Sequence, residues 1–89
     1  MTPAQITEAQ AIAAQPGRAA VLRAIRDVSA QSGVPQGAIM GYDRRPRIVA
    51  ARHLAIRVAH DAGVSMAEIA RVMNRDHTTI RHAILKGAA

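Results

Sequence analysis

Toward the end of the chain, Asp76, His77, Thr78, Thr79, Arg81, His82 and Lys86 fall within eleven residues. On a helix, at about 100° per residue, Ile80, Ala83 and Ile84 gather on one side. Thr78, His82 and Lys86 lie opposite, flanked by Thr79 and Arg81. That outer face presents hydroxyls, an imidazole and positive charge at intervals of about one turn. Such a helix fits the major groove of B-form DNA, with its N-terminal residues at the base edges. Threonine can touch a thymine methyl or exchange hydrogen bonds with bases. Asp76 can accept from the exocyclic amine of cytosine as well as cap the helix. His77 can donate to a base acceptor or a phosphate, and the first-turn N–H groups point at phosphate.

Other chemistries fit these residues less well. His77 and His82 are five apart, whereas a helical zinc pair needs four. With no Cys there is no thiolate site. Asp76-His77-Thr78 suggests nucleophilic chemistry, but a capped helix start accounts for Asp76 and Thr78, and no oxyanion-hole glycines are near. The expectation is no enzyme activity, no metal and no cofactor. Tyr42 is the sole aromatic and cannot form a stacking platform, which favours duplex DNA over single strands or RNA.

The reading helix needs a scaffold, and the chain supplies one. Ser65-Met66-Ala67-Glu68 fits a reciprocal capping box, opening a short helix with Met66, Ile69, Ala70 and Met73. Asn74-Arg75 makes a tight turn, and Asp76 caps a last helix over 77–86. Two helices so joined predict a helix-turn-helix. Upstream, Arg47 to Ala62 reads as a long helix with an apolar face of Ile48, Ala51, Leu54, Ala55, Val58 and Ala59. Arg52, His53 and Arg57 fall off its centre, and Gly63 ends it. Pro35 starts a short helix carrying Ala38, Ile39 and Met40, which Gly41 stops. From Arg18 a helix with Val21, Leu22, Ile25 and Val28 on one face runs to a left-handed cap at Gly33. Pro16-Gly17 reads as a boundary. It divides an Ala- and Gln-rich segment over 1–16, a short helix or unstructured, from a DNA-binding domain over 17–89. There is no strand pattern and no internal repeat.

Eighty-nine residues make one small domain, without room for an ATPase module. Residues of hydrophobic type make up 49%, so the near-absence of aromatics leaves Ile, Val, Leu, Met and Ala to build the core. Met66 and Met73 read as core filler. A net charge of +6 argues for a polyanionic partner. Nine of the twelve Lys and Arg lie between Arg44 and Lys86, against Asp61, Glu68 and Asp76. Arg44, Arg45, Arg47 and Arg52 cluster in the loop Tyr42–Pro46 and at the start of the long helix. An arginine loop beside a helix-turn-helix can enter the adjacent minor groove, with Arg47 and Arg52 on phosphates. Arg18, Arg23 and Arg26 read as a solvated face, and His60 as a surface residue. No run of roughly 18 apolar residues is present to span a membrane, and no basic start precedes an apolar stretch. The expected setting is soluble and cytoplasmic, at the bacterial nucleoid.

Arg75-Asp76-His77-Thr78-Thr79-Ile80, followed by His82-Ala83, resembles the signature of the C-terminal DNA-binding domain (domain IV) of the bacterial initiator family DnaA. The resemblance runs from about Val21 to Lys86 and includes Ile39-Met40, Arg52, Ala55 and Ser65-Met66-Ala67-Glu68-Ile69. It implies an all-α fold, a small helical bundle with a helix-turn-helix of the DnaA domain IV or Trp-repressor-like kind. By position, Arg44 resembles a minor-groove arginine and Arg52 a base- or phosphate-contacting one. Asp76, His77, Thr78 and Thr79 resemble the base-reading and phosphate-contacting signature, with His82 and Lys86 further along the helix. The expected DNA contacts are therefore Arg75, Asp76, His77, Thr78, Thr79, Arg81, His82 and Lys86 on the reading surface, and Arg44, Arg45, Arg47, Arg52 and His53 in the minor groove and on phosphates. Three departures bear on specificity. The family commonly has Arg-Gln where this chain has Arg52-His53. It usually has two glycines where Asn74 stands alone, and basic residues where Asp43 and Pro46 stand. The preferred site is therefore expected to differ from the initiator's own.

Nothing resembles the family's ATPase or helicase-loading modules, which implies a freestanding relative of the DNA-reading part. The expected function is sequence-specific binding of double-stranded DNA by a monomer, as a transcription regulator of phage or gene-transfer-agent type. Two alternatives stay open. The protein can occupy initiator boxes in replication, or its N-terminal segment can recruit a partner such as RNA polymerase or another regulator.

Overall fold

A computed structural model describes residues 16–88, and every regular element among them is helical. They are α1 (Pro16–Ser32), α2 (Gln36–Met40), α3 (Pro46–Asp61), α4 (Met66–Met73) and α5 (His77–Ala88). Pro16 and Gly17 lie inside α1 rather than ahead of it. The expectations for residues 1–15 fall outside the described residues.

The core is aliphatic, as the composition requires. Ile25, Ile39, Ile56, Ile69 and Ile80 are fully buried, with Met73, Val21, Val28 and Val34. α3 is the central element and packs against all four other helices. Its small residues Ala51, Ala55 and Ala59 are buried at four-residue intervals, so neighbouring helices come close. α1 supplies Val21, Ala24, Ile25 and Val28, and α5 supplies Ile80 and Ala83.

Two details of the sequence-based faces are corrected. Leu54 and Val58 are 37% and 38% exposed, while Ile56 and Arg52 are buried, so the inward stripe of α3 is rotated from the expected one. The expected stripe assumed one apolar side. α3 instead has neighbours around much of its circumference, which decides burial by packing rather than by hydropathy. Leu22 of α1 likewise points outward.

The helix ends follow from local chemistry. Gly33 adopts φ +75° and Gly63 φ +97°, left-handed conformations that ordinary side chains resist. At the first, the Gly33 N–H donates to Ser29 O at 3.0 Å. At the second, Val64 N donates back to Ala59 O at 3.2 Å, and Val64 plugs into the core. Pro46 occupies the first turn of α3, where its missing N–H costs nothing. Ser65 caps α4 by accepting from Glu68 N at 3.2 Å. The reciprocal half of the capping box is not made: the Glu68 carboxylate pairs with Arg71 instead.

Candidate nucleic-acid interface

α4, the turn and α5 form the expected helix-turn-helix. Asn74 ends α4 in the left-handed region, with φ 53° and ψ 49°. Asparagine tolerates that conformation, so a single residue makes the reversal. Asp76 then caps α5, its Oδ1 accepting from Thr79 N at 2.8 Å. Accepting from the backbone N–H of Thr79 holds the Asp76 carboxyl below the usual carboxylate range, with the Thr79 side chain and the Thr78 backbone adding to the effect. Ile80 and Ala83 are sunk in the core, which turns the opposite side outward. His77, Thr78, Arg81, His82 and Lys86 are exposed, and Thr79 is half-buried beside Asp76.

The arginines separate into distinct roles. Arg52, expected off the buried face, is only 7% exposed. Its Nε donates to Ile39 O at 2.8 Å and its Nη2 to Ala38 O at 3.0 Å. These are carbonyls of the last turn of α2, where the helix's own donors run out, and Ala38 O also accepts from Gly41 N at 3.2 Å. Burial lowers the Arg52 pKa, Arg75 lowers it further, and Asp43 opposes them. Arg75, expected on the reading surface, turns toward the same helix end. Its Nη2 donates to Gly41 O and, at 3.4 Å, to Met40 O, while Nη1 donates to Met73 O at 3.2 Å. The guanidinium lies over the Tyr42 ring, 4.2 Å from its centroid. Tyr42 OH donates to Asn74 O at 3.4 Å and accepts from Asn74 Nδ2 at 3.3 Å. Two arginines from separate elements thus satisfy the carbonyls where the chain leaves α2 for the basic loop. Tyr42 ties that loop to the turn.

Within the loop, Arg45 forks onto Asp43, with Nη2 to Oδ2 at 2.7 Å and Nε to Oδ2 at 3.0 Å. The Arg45 side chain pulls the Asp43 carboxyl below its ordinary range, and Asp43 raises Arg45 in return. Arg47 donates from Nη2 to Ser32 O at 2.9 Å, capping α1. Arg45 and Arg47 border one hollow with Val34, Pro35 and Ile48. Arg44 faces another, an open groove of about 520 Å³ shared with His53, Arg57 and Lys86 over Val49 and Ala50. The His53 and His82 rings meet edge to face across α3 and α5, 6.4 Å apart at 80°.

The structure therefore brings Arg44, His53 and Lys86 together in a groove at the end of α5, with His82 against His53, and it draws Arg52, Arg75, Arg45 and Arg47 into other contacts. Sequence reasoning missed Arg57 as a groove residue and Tyr42 as a loop anchor. Arg57 lies one turn after His53, so their shared face was visible. What sits opposite that face was not.

The sequence pattern described as the bacterial DnaA protein helix-turn-helix matches residues 21–86. The chain belongs to this family. No curated protein and no solved structure matches it. The DnaA helix-turn-helix is a DNA-binding domain rather than a catalytic one, and the all-helical bundle here fits it. The match covers α3, α4, the turn and most of α5, the parts that carry the groove and the outward face. No helix among the described residues is long and apolar enough to cross a membrane.

Proposed function

We propose that the protein binds double-stranded DNA sequence-specifically and acts as a transcription regulator. In this reading His77, Thr78 and His82 on α5 face the base edges in the major groove. Arg81 and Lys86 flank them on the phosphates, and Arg44 reaches the adjacent minor groove. The observation that carries the proposal is the division of α5. Ile80 and Ala83 are completely buried, while His77, Thr78, Arg81, His82 and Lys86 all face solvent. Asp76 and Thr79 set the start of the helix. Arg52 and Arg75 act by shaping the loop.

Selection of bound duplexes from a random pool identifies the site, and footprinting with Thr78→Ala tests the reader. The variant is expected to lose about 1–3 kcal/mol and to relax the preference at one position. An unchanged footprint and preference would show that α5 is not the reading helix.

Family membership favours one second reading, occupancy of the initiator's own boxes in replication. Displacement of the initiator from such a box supports it, and no displacement at saturating protein removes it. Recruitment of RNA polymerase or another regulator by residues 1–16 would be lost on deleting that segment.

A further inference from the structure

The open groove between the start of α3 and the end of α5 collects Arg44 from the loop, Arg57 from α3 and Lys86 from α5, and no carboxylate lines it. Three cations converging on one hollow repel one another unless an anion joins them. The neighbouring loop shows the alternative: Arg45 has its counter-charge in Asp43. Arg44, Arg57 and Lys86 have no ion-pair partner among the described residues. The floor is made by Val49 and Ala50, small enough to let a tetrahedral anion approach the three charges.

His53 stands in the wall of the groove, half-buried. Every charged or titratable group that faces it is cationic or can become so. Arg57 and Arg52 flank it along α3, Lys86 and His82 face it from α5, and Arg44 borders the same groove.

We propose that this groove seats one phosphate of the DNA backbone, held by Arg57 and Lys86 with Arg44 at its rim on the way to the minor groove, and that His53 takes up a proton from solvent as the phosphate enters. The proposal rests on the DNA-binding reading above and adds to it a site and a pH dependence. In the free protein, burial first and then Lys86, Arg57, His82 and Arg52 hold the imidazole below its ordinary pKa, so it is neutral near pH 7. A phosphodiester reverses the sign of the nearest charge and favours the imidazolium, which then donates to a phosphate oxygen. Affinity must therefore rise as pH falls, and an undersized neutral side chain at 53 must lose that response.

The experiment measures binding of a selected duplex at constant salt from about pH 5.5 to 8, the range in which histidine titrates. It uses the wild type, His53→Gln and Arg57→Gln, with His77→Gln and His82→Gln to assign the remaining response. Wild-type affinity is expected to rise by up to about tenfold per pH unit for one proton taken up. His53→Gln is expected to flatten that slope, and Arg57→Gln to reduce the salt dependence by about one phosphate's worth. Magnetic resonance of the His53 ring in the wild type, which needs no variant to fold, should show its titration midpoint move upward on adding duplex. An unmoved midpoint in a protein that binds duplex, or an unchanged salt dependence in Arg57→Gln, overturns the groove and leaves the DNA reading standing. Absence of duplex binding at low ionic strength at every pH overturns both.

Discussion

Arg75 belongs to the most distinctive string in the sequence, yet its side chain is spent on the protein's own backbone. It donates to the carbonyls of Met40, Gly41 and Met73 and stacks on Tyr42. A planar fork spreads five donors over two ends and stacks on an aromatic face, whereas an ammonium offers three donors from a single point and has no face to stack. Arg75→Lys keeps the charge and loses the fork. It is expected to destabilise the protein by about 1–3 kcal/mol in urea unfolding, since half-buried carbonyls lose their donor. If Arg75 acts on DNA through the loop, its effect on affinity is non-additive with Arg44→Ala in a double-mutant cycle. Simple additivity would place Arg75 on the DNA independently. His53 has a separate consequence for the free protein. Its pKa is lowered on folding, so between that lowered value and the ordinary one near 6.5 the unfolded chain binds more protons. Stability should fall as pH drops through this window, and urea midpoints at about pH 5.5 and 7.5 should differ less in His53→Gln. The sign is opposite to the proposed response of DNA affinity, which separates the two effects.

At the scale of elements, the helix-turn-helix is set by its caps. Ser65 opens α4, Asn74 closes it in the left-handed region, and Asp76 opens α5. Ser65 and Asp76 were legible in the sequence because each accepts from a backbone N–H three residues on, and Asn74 because asparagine tolerates the left-handed region. Ser65→Ala removes the side-chain acceptor at the α4 start, and Glu68 is turned to Arg71. A loss of about 1 kcal/mol is expected in thermal or urea unfolding. No loss would mean that α4 is held by Ile69 and Met73 alone. The face of α3 was less legible. Its hydropathy suggested a stripe through Leu54 and Val58, and the structure buries Ile56 and Arg52 instead. A helix surrounded by neighbours does not announce its inward side by periodicity. A buried arginine adds no apolar signal at all.

For the whole molecule, charge and packing respond oppositely to salt. A net charge of +6 on 89 residues repels itself in the folded state, and added salt screens that repulsion. The melting temperature of the free protein should therefore rise between low and moderate sodium chloride. Duplex affinity should fall steeply over the same range, because phosphate neutralisation releases counterions. Salt titration of both quantities on one preparation checks this. A flat binding curve would mean that phosphates contribute little. The aliphatic core supplies the cohesion that offsets the charge, with five isoleucines fully buried among the described residues and Tyr42 left on the surface.

The sequence by itself determined the helices, the turn and the outward residues of α5. These depend on contacts a few positions apart and on a period of 3.6 residues. The tertiary structure alone decided which basic residues are free. Arg75 meets Gly41 across 34 positions and Arg52 meets Ile39 across 13, and no local rule encodes either pairing. A guanidinium reads the same in a sequence whether it faces solvent or a helix end. Only the close approach of α2, α3 and the turn leaves Arg44, His53, Arg57 and Lys86 around one groove.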